Sequence, residues 1–125
     1  MKNFFVILVF ILGSINIINA NSYMCHFTKK ISYSGKWDKT PNRIRRVNLK
    51  VIYRVVGDEL LTRPVGVDRT FSAYSTGKYL GRDGTLYFAF ESNIGYMYAI
   101  SEDFDRAVEM TPSGKTVLEA YCYPY

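Results

Sequence analysis

The sequence Arg46-Val-Asn-Leu-Lys-Val-Ile-Tyr-Arg-Val-Val-Gly-Asp58 alternates between apolar and mostly basic side chains. The apolar series comprises Val47, Leu49, Val51, Tyr53 and Val55. A period of two places successive side chains on opposite faces of a β-strand. Gly57-Asp58 then predicts a two-residue hairpin turn. The segment therefore predicts a strand with one apolar and one basic face, followed by a second strand that pairs with it.

Further β-type runs, separated by turn signals at fairly even spacing, occupy the chain on both sides of this segment. Residues 60–70 are expected to continue as a strand, with Pro64 and Gly66 marking an edge or a bulge. Asp83-Gly84 predicts a type I′ hairpin turn with positive φ angles. The pattern predicts about eight strands in an antiparallel meander, and so an all-β fold.

The first 20 residues have the features of a secretory signal peptide. Lys2 supplies the positive charge, residues 4–12 are an unbroken apolar run, and Ala20 is a small residue suited to cleavage. We expect cleavage after Ala20, a single β-barrel-like domain over residues 21–125, and a secreted or periplasmic location. No second apolar stretch approaches membrane-spanning length, so we expect no transmembrane segment after cleavage.

The two cysteines, Cys25 and Cys122, stand near the ends of the expected domain. Export would place them in an oxidising compartment, where a structural disulfide is favoured over free thiols. A Cys25–Cys122 bond would put the first and last strands side by side. A sheet of about eight strands whose ends meet is a closed up-and-down barrel. A two-sheet β-sandwich is the alternative, because its terminal strands can also be neighbours.

Charge is unevenly distributed along the expected domain. Residues 21–82 hold 13 Lys or Arg against four Asp or Glu, a net +9, whereas residues 83–125 hold two against seven, a net −5. The basic strand face contributes much of the positive charge, and we predict it as a partner-binding site. The residues assigned to that site are Arg43, Arg45, Arg46, Lys50, Arg54 and Trp37, with Tyr53 as a further aromatic contact.

The expected partner of this face is anionic. An envelope polymer, a lipid surface or an acidic protein would fit, and nucleic acid is the weakest candidate because export removes most opportunity to meet it. The alternative is a solvated outer face with no partner. The sequence gives no indication of the oligomeric state.

Candidate catalytic and metal-binding groups are sparse. His26 is the only histidine, and it neighbours Cys25 on a predicted strand, where adjacent side chains point to opposite faces. A small secreted hydrolase built on His26, Glu91 or Glu119 is therefore the weakest alternative function. The acidic residues within 102–105 are interpreted as a solvated turn. We predict no catalytic residues, no metal site and no cofactor.

Eleven tyrosines are interpreted mainly as packing residues of the sheet. The alternative is an aromatic binding surface or a ligand cavity in the mouth of a barrel. Near the C-terminus, Tyr121, Tyr123 and Tyr125 alternate with Cys122 and Pro124. Those three rings are therefore expected to share an outward face, opposite the disulfide.

The segment Ser72-Ala-Tyr-Ser-Thr-Gly-Lys-Tyr79, together with a cysteine near each end of the domain, resembles the small exported bacterial β-barrels that inhibit lysozyme. This resemblance covers eight residues and implies inhibition of a lysozyme or another hydrolase. A net charge of +4 on residues 21–125 opposes encounter with a basic lysozyme unless the acidic half docks. The leading prediction is therefore a small exported non-enzymatic binding protein, with the inhibitor as the alternative.

Overall fold

The computed structural model describes residues 22–35, 40–81 and 83–125. The predicted signal peptide and Trp37 lie outside the described residues. Within those ranges the chain forms eight strands: β1 (Ser22–Ser32), β2 (Arg43–Val56), β3 (Glu59–Pro64), β4 (Phe71–Leu80), β5 (Leu86–Glu91), β6 (Met97–Ser101), β7 (Arg106–Met110) and β8 (Thr116–Pro124). In the same ranges, no helix has the length and apolar character needed to cross a membrane.

All eight strands belong to one antiparallel sheet. Each strand pairs with the next in sequence, and β8 pairs back with β1, so the hydrogen bonding closes into a ring. The predicted all-β antiparallel meander is confirmed. A ring of this kind is the pairing pattern of an up-and-down barrel, whereas two separate sheets would interrupt it.

The disulfide prediction is also confirmed. Cys25 on β1 lies directly opposite Cys122 on β8, with their Cα atoms 4.1 Å apart, and the two form a disulfide across 97 residues of sequence. The bond therefore fastens the first strand to the last at the place where the sheet closes. A disulfide is compatible with an oxidising compartment.

The core lies on the inner face of the closed sheet, because alternate residues of each strand point there. On β2 the inner residues Val51 and Tyr53 are buried, while Lys50 just before them and Arg54 just after them are exposed. The buried core cluster also contains Cys25, Phe27, Leu60, Ala73, Phe90, Ile100, Ala107, Ala120 and Cys122. The alternation read from the sequence thus separates inside from outside correctly on this strand.

Two turn predictions have different outcomes. Gly57-Asp58 joins the paired residues Val56 and Glu59, which confirms the two-residue hairpin, and Gly57 has a φ of 59°. At Asp83-Gly84 the type I′ prediction is wrong, because Gly81 bonds to Thr85 across the loop and the Gly84 amide donates to the Gly81 carbonyl at 3.0 Å, so the two residues are not the centre of a two-residue turn. The Asp83 carboxylate instead accepts a hydrogen bond from the Thr85 amide at 3.0 Å, as in an Asx turn.

The prediction of a strand through residues 60–70 is wrong in its second half. Strand β3 ends at Pro64, which lacks an amide hydrogen and cannot continue the ladder as a donor. Val67 donates a hydrogen bond back to the Pro64 carbonyl at 3.0 Å, and Gly66 adopts a φ of 89°. Residues 65–70 therefore form the connection to β4, at one open end of the closed sheet.

Candidate functional site

The outer face of β2 carries a row of cations. Arg46, Lys50 and Arg54 alternate with inward-facing residues and are all exposed. Positions four apart on a strand are separated by about 13 Å along its axis. The three charges therefore follow the strand over about 26 Å as a stripe rather than a cluster.

Neighbouring strands widen this stripe. Arg63 on β3 pairs with Ile52 of β2 in the sheet register and is exposed. Lys29 on β1 pairs with Arg46, and its ammonium lies 3.7 Å from the Glu119 carboxylate. Throughout the described ranges, Arg46, Lys50, Arg54 and Arg63 form no ion pair with a carboxylate. We call these four residues the basic face.

A groove of about 540 Å³ opens beside the basic face, between β1 and β2. It lies where the pairing register of β1 shifts between Phe27 and Lys29. A β-bulge of this kind bends a strand and redirects its side chains. The groove is lined by His26, Thr28, Lys29, Ile44, Arg45, Arg46, Val47 and Asn48. It therefore combines three cationic side chains with hydrogen-bonding groups.

His26 is held in place at the edge of this groove. Its Nε2 lies 2.7 Å from Asn48 Oδ1, and its Nδ1 lies 2.7 Å from the Tyr121 hydroxyl. An amide oxygen only accepts hydrogen bonds, so Nε2 donates. In the neutral ring, Nδ1 then accepts a hydrogen bond from Tyr121. Both nitrogens are thus engaged by neutral partners, and neither is oriented by a carboxylate as in a catalytic triad.

The five basic residues predicted for the site do not share one face. Arg46, Lys50 and Arg54 point outward together, whereas Arg43 and Arg45 have the opposite phase in the alternation of β2, although Arg45 reaches the same groove as Arg46. Arg43 and Arg45 are nevertheless exposed, because the first four residues of β2 extend beyond the buried core. The basic surface therefore has a stripe along the sheet and a second group of cations at one end of β2.

Tyr53 cannot serve as a partner contact, and that expectation is wrong. Its side chain has no exposed surface, because it occupies the inner face of β2. The tyrosines at the C-terminus behave as expected, since Tyr121, Tyr123 and Tyr125 are all exposed. Tyr121 lies next to His26 across the β1–β8 pair and thus borders the groove.

The carboxylates considered for catalysis lie on separate strands. Glu91 is exposed at the end of β5, where it pairs with Met97 of β6. Glu119 lies on β8 and forms the ion pair with Lys29. The structure therefore brings neither of them into hydrogen-bond contact with His26.

A carboxyl group that the sequence analysis did not single out occupies the interior. Glu109 on β7 accepts a hydrogen bond of 2.6 Å from the Tyr53 hydroxyl. Burial raises the pKa of Glu109, and the Tyr53 hydrogen bond acts in the opposite direction. Burial likewise raises the pKa of Tyr98, its partner on β6, to about 12, with the nearby Glu109 charge adding to the effect. Burial also raises the pKa of Tyr53, so both tyrosines keep their protons at neutral pH.

The inward orientation of the Glu109 side chain follows from the alternation of side chains along β7. It stands two residues after Ala107, which is buried, so both side chains point inward. The strand is only five residues long, and its two large apolar side chains, Val108 and Met110, lie in the phase opposite to Ala107 and Glu109, so the sequence pattern alone does not mark Glu109 as inward-facing. That opposite phase hid the residue from sequence reasoning.

Comparison of the chain with protein-family models, with curated proteins and with solved structures finds no match. The segment from Ser72 to Tyr79, which carries the resemblance to lysozyme inhibitors, lies within β4. All of its residues except Ala73 are exposed. Because no match is found, the roles of the basic face, the groove beside it and the interior carboxyl are inferred from this chain's own residues alone.

Proposed function

We propose that this protein is a small exported non-enzymatic binding protein that engages an anionic component of the cell envelope through its basic face. The partner would be an anionic polymer or lipid surface that meets β2 and its neighbours from outside. Secretion or export to the periplasm belongs to the same proposal. An acidic protein partner is the competing form of this idea.

The observation that carries the proposal is that four exposed cations on the outer face of β2 and β3 have no carboxylate partner in the described part of the chain, namely Arg46, Lys50, Arg54 and Arg63. Surface cations near a negatively charged membrane each contribute about 1 kcal/mol of attraction. The groove supports the proposal further, because Lys29, Arg45 and Asn48 could bind an anionic group that projects from the partner. A stripe about 26 Å long suits an extended or planar partner better than a small anion.

The direct test measures sedimentation of the disulfide-bonded protein with lipid vesicles. Vesicles containing phosphatidylglycerol and phosphatidylcholine are compared with vesicles of phosphatidylcholine alone, and soluble polyglutamate serves as the acidic-polypeptide competitor. We expect binding to the anionic vesicles only. The triple variant R46Q/K50Q/R54Q should lose binding by roughly a hundredfold, since three cations of about 1 kcal/mol each are removed.

Equal binding to both vesicle types would contradict the lipid form of the proposal. Preferential binding to polyglutamate would favour an acidic protein instead. Unchanged affinity of the triple variant for every anionic probe would remove the basic face from the function altogether. Circular dichroism of the variant checks that the exposed substitutions leave the sheet intact.

Inhibition of a lysozyme or another hydrolase is a second candidate, and the exposure of β4 favours it. Tyr74 and Tyr79 are 56% and 48% exposed on this strand, so aromatic side chains are available for contact with a protein. Such rings are frequent at the centres of protein interfaces. A lysozyme activity assay with the purified protein tests this candidate. Loss of inhibition in Y74A would support it, and absence of inhibition by the unaltered protein would exclude lysozyme as the target.

A further inference from the structure

A second cavity, separate from the basic face, opens into the interior of the closed sheet. Its volume is about 690 Å³, within the range of pockets that hold small molecules. The connection between β3 and β4 and the turn between β5 and β6 both contribute to its lining. The lining residues important here are Thr62, Arg69, Phe71, Tyr96, Tyr98 and Glu109.

The inner part of this cavity carries a carboxyl group with spare hydrogen-bonding capacity. Tyr53, which is fully buried, donates to Glu109 Oε2 at 2.6 Å. This is the one hydrogen bond that Glu109 makes among the described residues. A carboxylate has about four acceptor positions, so Oε1 is free to accept from a ligand.

The electrostatic surroundings favour a cation at this position. Glu109 is the only carboxylate among the described residues that line the cavity. Among the lining residues that the structure describes, Arg69 is the one cation, and its guanidinium lies 5.0 Å from the centre of the Phe71 ring. Aromatic rings such as Tyr96 and Tyr98 attract cations through their faces and give no such attraction to anions.

We propose that this cavity binds a small amphipathic amine, with its ammonium group hydrogen-bonded to Glu109 and its apolar body against Tyr98 and Phe71. The ammonium supplies the charge partner that this half-buried carboxylate lacks among the described residues. The apolar body covers aromatic surface that is otherwise open to water. This site is independent of the proposed outer face, because Glu109 and Phe71 point into the cavity while Arg46, Lys50 and Arg54 point outward.

Titration calorimetry of the disulfide-bonded protein with three probes of equal chain length tests the proposal. The probes are octylamine, octanol and octanoate at neutral pH. We expect octylamine to bind at least about tenfold more tightly than octanol, since one charge-assisted hydrogen bond contributes about 1.5–3 kcal/mol. Octanoate should bind most weakly in the cavity, because it would meet the charge of Glu109.

The variant E109Q should bind octylamine and octanol with equal affinity, because it keeps the shape of the side chain and removes its charge. The matched control is E119Q, which removes a carboxylate from the outer face of the adjacent strand β8 and should keep the preference for octylamine. If E109Q does not fold, F71A provides a second variant. Phe71 is 37% exposed at the cavity, and its truncation should weaken octylamine and octanol alike.

Three results would overturn the proposal. The first is no binding of octylamine, and the second is octanoate binding in the cavity as tightly as octylamine. The third is an amine preference that survives in E109Q. Amide chemical shifts locate each probe, because a cavity ligand perturbs β4, β6 and β7, whereas octanoate on the basic face perturbs β2 and β3 and leaves β6 and β7 unchanged. We expect R46Q/K50Q/R54Q to bind octylamine as tightly as the unaltered protein does. That result would show that the cavity binds its ligand independently of the basic face.

Discussion

The two faces of strand β2 place their polar groups in different surroundings, water on the outside and the protein interior on the inside. On the outer face, Lys50 and Arg54 are exposed and have no carboxylate partner among the described residues. On the inner face, between them in sequence, Tyr53 is fully buried and its hydroxyl is bonded to Glu109. Water satisfies charges outside, so they can remain available for a partner. Inside, a polar group must find its own partner or cost stability.

The largest expected effect comes from removing the bond that closes the sheet and so separates the two faces. The double variant C25A/C122A loses a cross-link between residues 97 apart in sequence. The chain-entropy estimate for a loop of this length is about 4–5 kcal/mol. Urea unfolding, followed by circular dichroism under non-reducing conditions, measures the free energy of unfolding. A loss below about 1 kcal/mol would mean that strand pairing alone keeps β1 against β8.

The next comparison places one substitution on each face of β1. Phe27 is fully buried, and F27A should lower the free energy of unfolding by about 3–5 kcal/mol through lost burial and the cavity it leaves. His26, its neighbour on the outer face, bonds to Asn48 and Tyr121 in an exposed setting. H26A should cost less than about 1 kcal/mol. Equal losses of unfolding free energy in F27A and H26A would contradict the expectation that stability depends mainly on the inner face.

A smaller effect, which depends on pH, is expected from Glu109. Burial raises its pKa in the folded protein above the value in the unfolded chain. The folded state therefore binds the proton more tightly, and this contribution to stability is complete below the unfolded pKa and lost as pH rises through the folded pKa. Relative to E109Q, the unaltered protein should lose on the order of 1 kcal/mol between acidic and neutral pH.

Urea unfolding of both proteins across that pH range measures this difference. The carboxyl faces Tyr53 and Tyr98 from β2 and β6, and both phenols stay protonated over the range tested. Leu118, its partner on β8, does not titrate. If the stability of E109Q relative to the unaltered protein did not change with pH, Glu109 would titrate as it does in the unfolded chain.

The smallest expected effect is on binding alone and compares two exposed lysines. K50Q removes one cation from the basic face, whereas K115Q removes one from the turn before β8. K50Q should weaken binding to anionic vesicles about fivefold, the equivalent of about 1 kcal/mol, and K115Q should leave it nearly unchanged. Equal weakening by the two variants would indicate attraction by net charge instead of by a particular face.

The sequence allowed the main features of the fold to be predicted because they rest on local patterns. The alternation around Val51 and Tyr53, the Gly57-Asp58 turn and the two terminal cysteines each have a direct structural counterpart. The Asp83-Gly84 turn was mispredicted because the Asp83 carboxylate binds the Thr85 amide and, at 2.6 Å, the Arg106 guanidinium. That last contact comes from a strand 23 residues away and leaves no local signal.

The candidate site was predicted less completely, because part of it depends on contacts between strands that are distant in sequence and leave no local pattern. The outward phase of Arg46, Lys50 and Arg54 follows from alternation within one strand. Arg43 and Arg45 were grouped with them, although a strand that already begins at Arg43 puts them on the other side. The pairing of Glu109 with Tyr53 joins β7 to β2 across the interior, and only the closure of the sheet brings them together.

The salt dependence of vesicle binding tests most directly whether the basic face is a binding surface. Exposed charges are screened over about 8 Å at physiological ionic strength and over longer distances in dilute salt. The affinity of the unaltered protein for phosphatidylglycerol vesicles should therefore fall at least tenfold between about 50 mM and about 200 mM sodium chloride. The slope should flatten in R46Q/K50Q/R54Q. An affinity that does not change with salt, or the same slope in the triple variant, would contradict a function based on these cations.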